Sequence, residues 1–481
     1  MADRCSENRR AFLKASAASA ATLAAAGLFP RAVSAKQGAW TGPKMPINGK
    51  IDNLRVVSCK DPKMLTNPKT VNSFKDIDAN VNAQAVFANL DAMAIELAKS
   101  AALPNPTAAQ AWSTIFQRPE KHEFKDAIVA IKVNTNNAFV IPCTAILNKL
   151  ALELHNVGVP YGNIIVYDGC TSALAKYVYT GSTINPEIKV SDGNSLLHAS
   201  APNDVQIQAP VPAPYKTTGG TELCTPDVAN GVVDILINVG TNKGNGALFG
   251  EVSLSMKNHY GTFKPVHEYN FLIGISKSDA ILGGTPPRQQ LAIIDSLTSV
   301  SVMDPTGPID VADKWPKRLV MGTFSPAVDY LTVKKVRREE MGIKALPNSF
   351  ADDFLIQFGY SAQEREAMQM IEVPPGSTKA SYPAKGEPVT DAVSFHVNGN
   401  NVRSTVVAVS FPSSENIERV TVFQMNGRLV RTIPVSNKFT NSRIIGWDGK
   451  TNTGADVNAG SYVVLVTGEK SERSEKFTLW K

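Results

Sequence analysis

The chain has 481 residues, 43% of them hydrophobic and 19% charged, with a formal net charge of +6. That composition excludes a disordered chain and gives length enough for two or three domains. Half of the charge lies in the first 35 residues, and the rest is too slight to imply a nucleic-acid or anionic-membrane partner. No later stretch approaches about 18 uninterrupted apolar residues, which predicts no membrane span in the mature chain.

The N-terminus reads as a targeting segment. A charged region, NRRAFLK, is followed by a weakly hydrophobic alanine-rich stretch from Ala15 to Phe29 and a small-residue site ending Val33-Ser34-Ala35. This order resembles a twin-arginine export signal with Arg9 and Arg10 as the pair, Asn8 standing where a serine is usual. The resemblance implies folding before export, the export machinery as a partner, cleavage after Ala35, and a periplasmic, cell-surface or extracellular location. Cys59, Cys143, Cys170 and Cys224 then remain. An even count in an oxidising compartment permits two disulfides, and buried free thiols are the alternative. Without any CxxC spacing, a cysteine-based zinc or iron-sulfur site is not expected.

Residues 36–75, rich in Pro, Lys and Asn, read as an irregular lead-in with one apolar run, LRVV. From Asp78 to Ala101, Val86, Leu90, Met93, Ala94 and Leu97 recur at helical spacing. AIVAIKV at 127–133 and NIIVYDG at 163–169 are strands, joined by a helix that opens at Pro142 and closes at Gly158. This βαβ unit predicts a parallel sheet. Residues 170–230 read as an insertion or edge hairpin, with EIKV and DVQIQ as short strands. SDAILGG is expected as a strand, RQQLAIIDSLTSV as a helix, RLVMGTF as a strand, and SPAVDYLTVKKVRREEMG as a helix from Ser325 whose Lys334 to Glu340 cluster is a solvated face.

The stretch 232–267, VVDILINVGTNKGNGALFGEVSLSMKNHYGTFKPVH, is the best candidate for chemistry. VVDILINV suits a strand buried on both faces, and the glycines from Gly240 to Gly250 suit a loop that approaches a ligand. Parallel strands bind ligands beyond their carboxyl ends, and Lys132, Asn134, Asp168 and Lys243 fall there, with Lys257, Asn258 and His259 just downstream. Lysines and glycine-loop amides suit an anionic small molecule. His259 could serve as an acid or base, or could pack as a structural histidine. His259, His267 and Asp168 form a possible metal set, but at non-standard spacing. No cofactor is specified: GxSxG, GxGxxG and GxxxxGK[ST] are all absent.

Residues 372–391 are rich in Pro, Gly, Ser and charge and read as a linker. Beyond them the period changes to two. VTVFQMNGRLVRTI is a hairpin around Asn426-Gly427, WDGKTNTGADV a polar loop, and SYVVLVTGEKSERSEKFTLWK two closing strands. The fold class expected is α/β, a mostly parallel sheet with flanking helices at 36–371, followed by a small all-β sandwich at 392–481.

Two family resemblances cover most of the mature chain. IKVN at 131–134, ILINV with Lys243, SLSMKNHYG, LAIIDSL and SPAVDYL resemble the domain of unknown function 362 family over residues 127–345. Val133, Asn245 and Ser325 depart from its pattern, and the ferredoxin-type cysteines of some members are missing. That family implies no general activity. VTVFQMNGRLVRTI, WDGKTNTGADVNAGSYVVLV and KFTLWK are similar to the immunoglobulin-like domain of flagellar hook-capping proteins and bacterial sorting tails, with Trp447 as the core plug. It implies attachment or sorting. Two functions are therefore expected: an exported enzyme or ligand-binding protein, or a cell-surface interaction protein that assembles through its terminal domain.

Overall fold

Apolar runs without alternation dominate the middle of the chain, and they become the central strands of one mixed sheet. The structure is a computed structural model. It describes residues 44, 47–66, 78–135, 140–169, 172–179, 182–191, 196–197, 205–207, 222–245, 251–264, 269–302, 312–345, 351, 354–376, 394–398, 406–410, 417–424, 428–433, 450–458, 460–468 and 472–479. The chain divides into two units, Met1–Ala380 and Ser381–Lys481.

In the first unit the strands are β1 (Val56–Lys60), β2 (Val129–Val133), β3 (Ile164–Tyr167), β4 (Lys189–Val190), β5 (Val205–Ile207), β6 (Glu222–Cys224), β7 (Ile235–Gly244), β8 (Val252–Ser253), β9 (Gln289–Val300), β10 (Arg318–Gly322) and β11 (Met370–Glu372). The main sheet has the order β11-β1-β10-β9-β7-β2-β3-β4, and β8 pairs with the end of β7. From β9 through β7, β2 and β3 to β4 every pairing is parallel. β10 runs antiparallel to both β9 and β1, and β1 is parallel to β11. β5 and β6 form a separate antiparallel pair.

Helices cover both faces, as a sheet with parallel central strands requires. The longest are α1 (Ala83–Ala98), α2 (Ala108–Ile115), α3 (Thr144–Asn156), α4 (Ser172–Tyr179), α5 (Tyr269–Lys277) and α6 (Ser325–Leu331). Val129, Ile131 and Val133 of β2 pack with Val86 and Leu90 of α1 and Ile146 and Leu150 of α3. Ala130 points the other way, into a core with Leu272 and Ile273 of α5 and Val328 and Leu331 of α6. Alternation therefore assigns each strand residue to one of two cores.

Several expectations are corrected. RQQLAIIDSLTSV is the strand β9, with every residue from Gln289 to Val300 buried. Leu291 and Ile293 enter one core while Ala292 and Ile294 enter the other, so the three-residue spacing of its large apolar residues imitates a helix stripe. SDAILGG contains a short helix, Asp279–Leu282, too brief for periodicity to reveal. The lead-in is not irregular throughout, since β1 sits between β10 and β11 and is buried at four of its five positions. The glycine loop also starts later than expected: Gly240 and Gly244 belong to β7. A Cβ on Gly244 would lie 1.9 Å from the Ser301 carbonyl oxygen, so glycine is what permits that approach.

The second unit contains β12 (Ser394–Asn398), β13 (Val406–Ser410), β14 (Ile417–Gln424), β15 (Leu429–Ile433), β16 (Gly460–Gly468) and β17 (Glu472–Leu479). Four of them form an antiparallel sheet in the order β15-β14-β16-β17, and β12 pairs antiparallel with β13. Val420, Val422 and Val464 are buried. Asn426, Gly427 and Trp447 lie outside the described residues. Among the described residues no helix is long and apolar enough to cross a membrane.

Candidate functional site

The parallel strands β2, β3 and β7 end side by side, with Lys132 in register with both Tyr167 and Asn238. Just past those ends the chain places a polar network that is almost wholly withdrawn from water. Lys132 is 1% exposed. Its ammonium donates to Val133 O at 2.7 Å, Asp168 Oδ1 at 3.1 Å and Asn258 Oδ1 at 3.2 Å. Three acceptors use all three of its donors. Asp168 Oδ2 in turn accepts from the Thr135 amide and hydroxyl, both at 2.8 Å.

Asn258 locks the downstream turn onto the strands. Its Nδ2 donates to Asn238 Oδ1 at 2.8 Å, Lys132 O at 3.1 Å and Val239 O at 3.2 Å. The turn itself is a single 3₁₀ unit, Lys257–His259. It sits close against the loop after β3: a Cβ on Gly169 would fall 1.6 Å from Gly261 O, and Gly261 has φ of +101°. Both glycines are needed for that contact.

Lys243 approaches from the opposite face of the sheet, the side of Ile237 and Val239. Its Nζ donates to Asn134 Oδ1 at 2.8 Å. Burial pushes its pKa down to about 7, the neighbouring Lys132 adds to this, and Asp168 opposes it. Burial likewise pushes Lys257 down to about 7. His259 is held near 3, first by burial and then by Lys132, against a hydrogen bond to Gln289 that favours the proton. The imidazole is therefore neutral at physiological pH and holds no proton in reserve for acid catalysis. Its Nε2 lies 3.4 Å from Asn238 Nδ2, while Nδ1 has no hydrogen-bond partner among the described residues.

The structure thus joins Lys132, Asn134, Asp168, Lys243, Asn258 and His259 by contact or field, and seats Lys257 on the same turn. His267, Gly246, Gly250 and Cys170 lie outside the described residues, so neither the two-histidine metal set nor a complete cysteine pairing can be drawn. Among the described residues no group of three or more His, Cys, Asp or Glu could hold a metal ion. Cys59 and Cys143 are buried free thiols, Cys224 is buried as well, and burial raises the pKa of Cys59 to about 12.

Sequence reasoning missed four contributors. Asn238 is a polar residue inside an apolar strand, a signal that was available. Thr135 and Gln289 carried none. Asp329, on α6, accepts the Ser255 amide at 2.9 Å, the Ser255 hydroxyl, and the Met256 amide at 2.9 Å, and is pushed up to about 7 by burial. The Lys334 to Glu340 cluster is not a solvated face throughout. It follows α6 as a π-helix, Thr332–Glu340, whose wider turn brings Arg337 inside. Arg337 is 0% exposed and donates to Asn242 Oδ1 at 2.6 Å and Ser301 O at 2.5 Å. Arg338 pairs with the buried Glu251 at 3.2 Å.

No family model matches the chain, and no curated protein matches it. Among solved structures, dimeric latent PorU from Porphyromonas gingivalis is similar at 20% identity over 19% of this chain, with a TM-score of 0.16. The chain spans 9% of the length of that PorU chain. An engineered protein is similar at 11% identity over 70% of this chain and 69% of its own, with a TM-score of 0.15. Neither likeness carries a fold or an activity across.

Proposed function

We propose that residues 36–371 are the ligand-binding or catalytic part of an exported protein, of the domain of unknown function 362 type, and that they take a small anionic molecule at the carboxyl ends of β2, β3 and β7. Lys132, Asn134, Asp168 and Lys243 are the binding set, and Lys257, Asn258 and His259 the reacting set. The observation that supports this reading is the burial of Lys132 and Lys243, each 1% exposed, in the field of one carboxylate, Asp168, with Lys257 buried on the neighbouring turn. An ammonium taken out of water costs several kcal/mol unless it is paired. A bound anion would add negative charge at the strand ends and return a proton to Lys243. His259 would meet the ligand through Nδ1 as a neutral hydrogen-bonding group.

Calorimetric titration of the exported protein with inorganic phosphate and with oxalate, at pH 7 in buffers of different ionisation enthalpy, tests the reading. Saturable binding with proton uptake is expected, weakened in Lys243→Met and Lys257→Met. No binding of either probe, or binding that both variants leave unchanged, rules it out.

A second reading has its own support. Because Lys132 has all three donors satisfied internally, the network could brace its loops in a scaffold. Residues 392–481, as an immunoglobulin-like sandwich with β15 and β17 at the edges of its four-stranded sheet, would then serve attachment or self-assembly at the cell surface. Fractionation of the native host separates the two. Filaments or envelope-bound material favour the scaffold, and a free periplasmic monomer favours the ligand-binding protein.

A further inference from the structure

The turn that carries Lys257, Asn258 and His259 is fixed from two directions. Asn258 ties it to β2 and β7 from one side, as described. From the other side, a single carboxylate on α6 grips the two residues just before it. Asp329 Oδ1 accepts from Ser255 N at 2.9 Å and from the Ser255 hydroxyl, and Oδ2 accepts from Met256 N at 2.9 Å. All these partners are neutral donors, and Asp329 is 1% exposed. Three hydrogen bonds converge on the two oxygens of one buried carboxyl group, so this fork holds both residues at once.

The helix that bears the clamp is itself well anchored. Pro326 occupies its first turn, where a missing amide hydrogen costs nothing. Every residue from Ser325 to Leu331 is buried. Gln289 of β9 donates to Ser325 Oγ at 2.9 Å and also bonds His259, so the start of α6 and the imidazole share one neighbour. The Ser255 hydroxyl reaches the Ser325 carbonyl as well, at 3.3 Å.

We infer that Asp329 is the positioning residue of the Lys257-Asn258-His259 turn, setting its distance from the strand ends through the amides of Ser255 and Met256. The inference rests on reading that turn as part of the ligand site. The bonds of Asp329 run to Ser255 and Met256, so its effect on the turn passes through the backbone.

Asp329→Asn tests the clamp with little change of volume. One amide oxygen still accepts from Ser255, but the Nδ2 group then faces the Met256 amide, donor against donor. Two readouts apply to the full exported chain. Hydrogen exchange of peptides spanning 253–259, followed at about pH 8, above the raised pKa of Asp329, should quicken about ten- to a hundredfold in the variant, the loss expected for hydrogen bonds to a charged group. The pH midpoint for chemical labelling of the Lys257 amine should rise from about 7 toward the ordinary lysine range as the turn admits water. Asp329→Glu, which keeps the carboxylate, should restore part of both. A variant that loses global stability while exchange at 253–259 and the Lys257 midpoint stay at wild-type values overturns the inference. Should Asp329→Asn fail to fold, Ser255→Ala removes one of the clamp's donors. Exchange about two- to fivefold faster is then expected, and no change overturns the inference equally. Failure of the wild type to bind phosphate or oxalate would refute the ligand reading without altering either turn measurement, so the two failures are distinguishable.

Discussion

Two regions of the α/β unit bury lysine completely, and they differ in what surrounds the charge. Lys149 of α3 is 0% exposed and lies 2.7 Å from Asp91 Oδ1 and 2.6 Å from Glu153 Oε1. Trp112 donates to the same Asp91 oxygen at 2.7 Å, and the Trp112 and Phe87 rings lie 5.9 and 5.7 Å from the ammonium. There the fold supplies two carboxylates and two aromatic faces for one cation. At the carboxyl ends of β2 and β7 the balance is reversed, with Lys132 bonded to Asp168 and Lys243 in the field of the same carboxylate. A buried lysine whose counter-charge belongs to the fold is a brace. Two that share one carboxylate are, on the reading proposed above, where an anion would bind.

The largest test of that contrast is a pair of substitutions. Lys149→Met strands two buried carboxylates and should lower stability by about 3–5 kcal/mol in denaturant unfolding. Lys243→Met removes an ammonium whose charged form is already disfavoured, so it should cost under about 1 kcal/mol or raise stability. An equal loss in both breaks the comparison.

Next in size is Gly169→Ala. Its Cβ would meet the backbone of Gly261, which cannot rotate away, so a loss of about 1–3 kcal/mol is expected in thermal unfolding. The exchange protection of residues 253–259 should fall with it.

A smaller effect is expected with pH. Lys243 and Lys257 have folded pKa values near 7, depressed from the lysine range, so the unfolded chain binds more protons between pH 7 and about 10. Stability without ligand should rise with pH across that window and be lost as pH falls through 7, by at most about 1.4 kcal/mol per pH unit for each lysine. Denaturation midpoints at pH 7, 8 and 9 measure it. Lys257→Met should flatten the slope, and a slope unchanged in that variant counts against a lysine pKa lowered by burial. Asp329 contributes in the other direction: its raised pKa gives stability that is present below about pH 4 and is lost as pH rises through 7.

Much of the sheet was legible because its signals are local. AIVAIKV, NIIVYDG and RLVMGTF announce strands through β-branched runs, and Pro142 and Gly158 bracket α3 closely. The polar residues that meet beyond the strand ends could be named for the same reason, since the βαβ pattern says where side chains converge. What could not be read depends on distant partners. β9 passes for a helix until both of its faces are seen to be packed. Arg337 looks like a surface charge until the π-helix turns it toward Asn242 and Ser301. The reach of Asp329 to Ser255 spans 74 residues, and no local pattern encodes it.

β7 carries the strand-end chemistry on one ten-residue segment in which every residue is buried. Asn238 and Asn242 serve one face, while Val239 and Lys243 serve the other. Removing a single residue between Ile235 and Val239 would exchange these faces, sending the ammonium of Lys243 toward Arg337 and leaving Asn134 opposite Gly244. The segment can therefore drift in sequence by substitution, yet it is closed to insertions and deletions. Length variation among descendants of this chain should collect in the loops on either side and spare those ten positions.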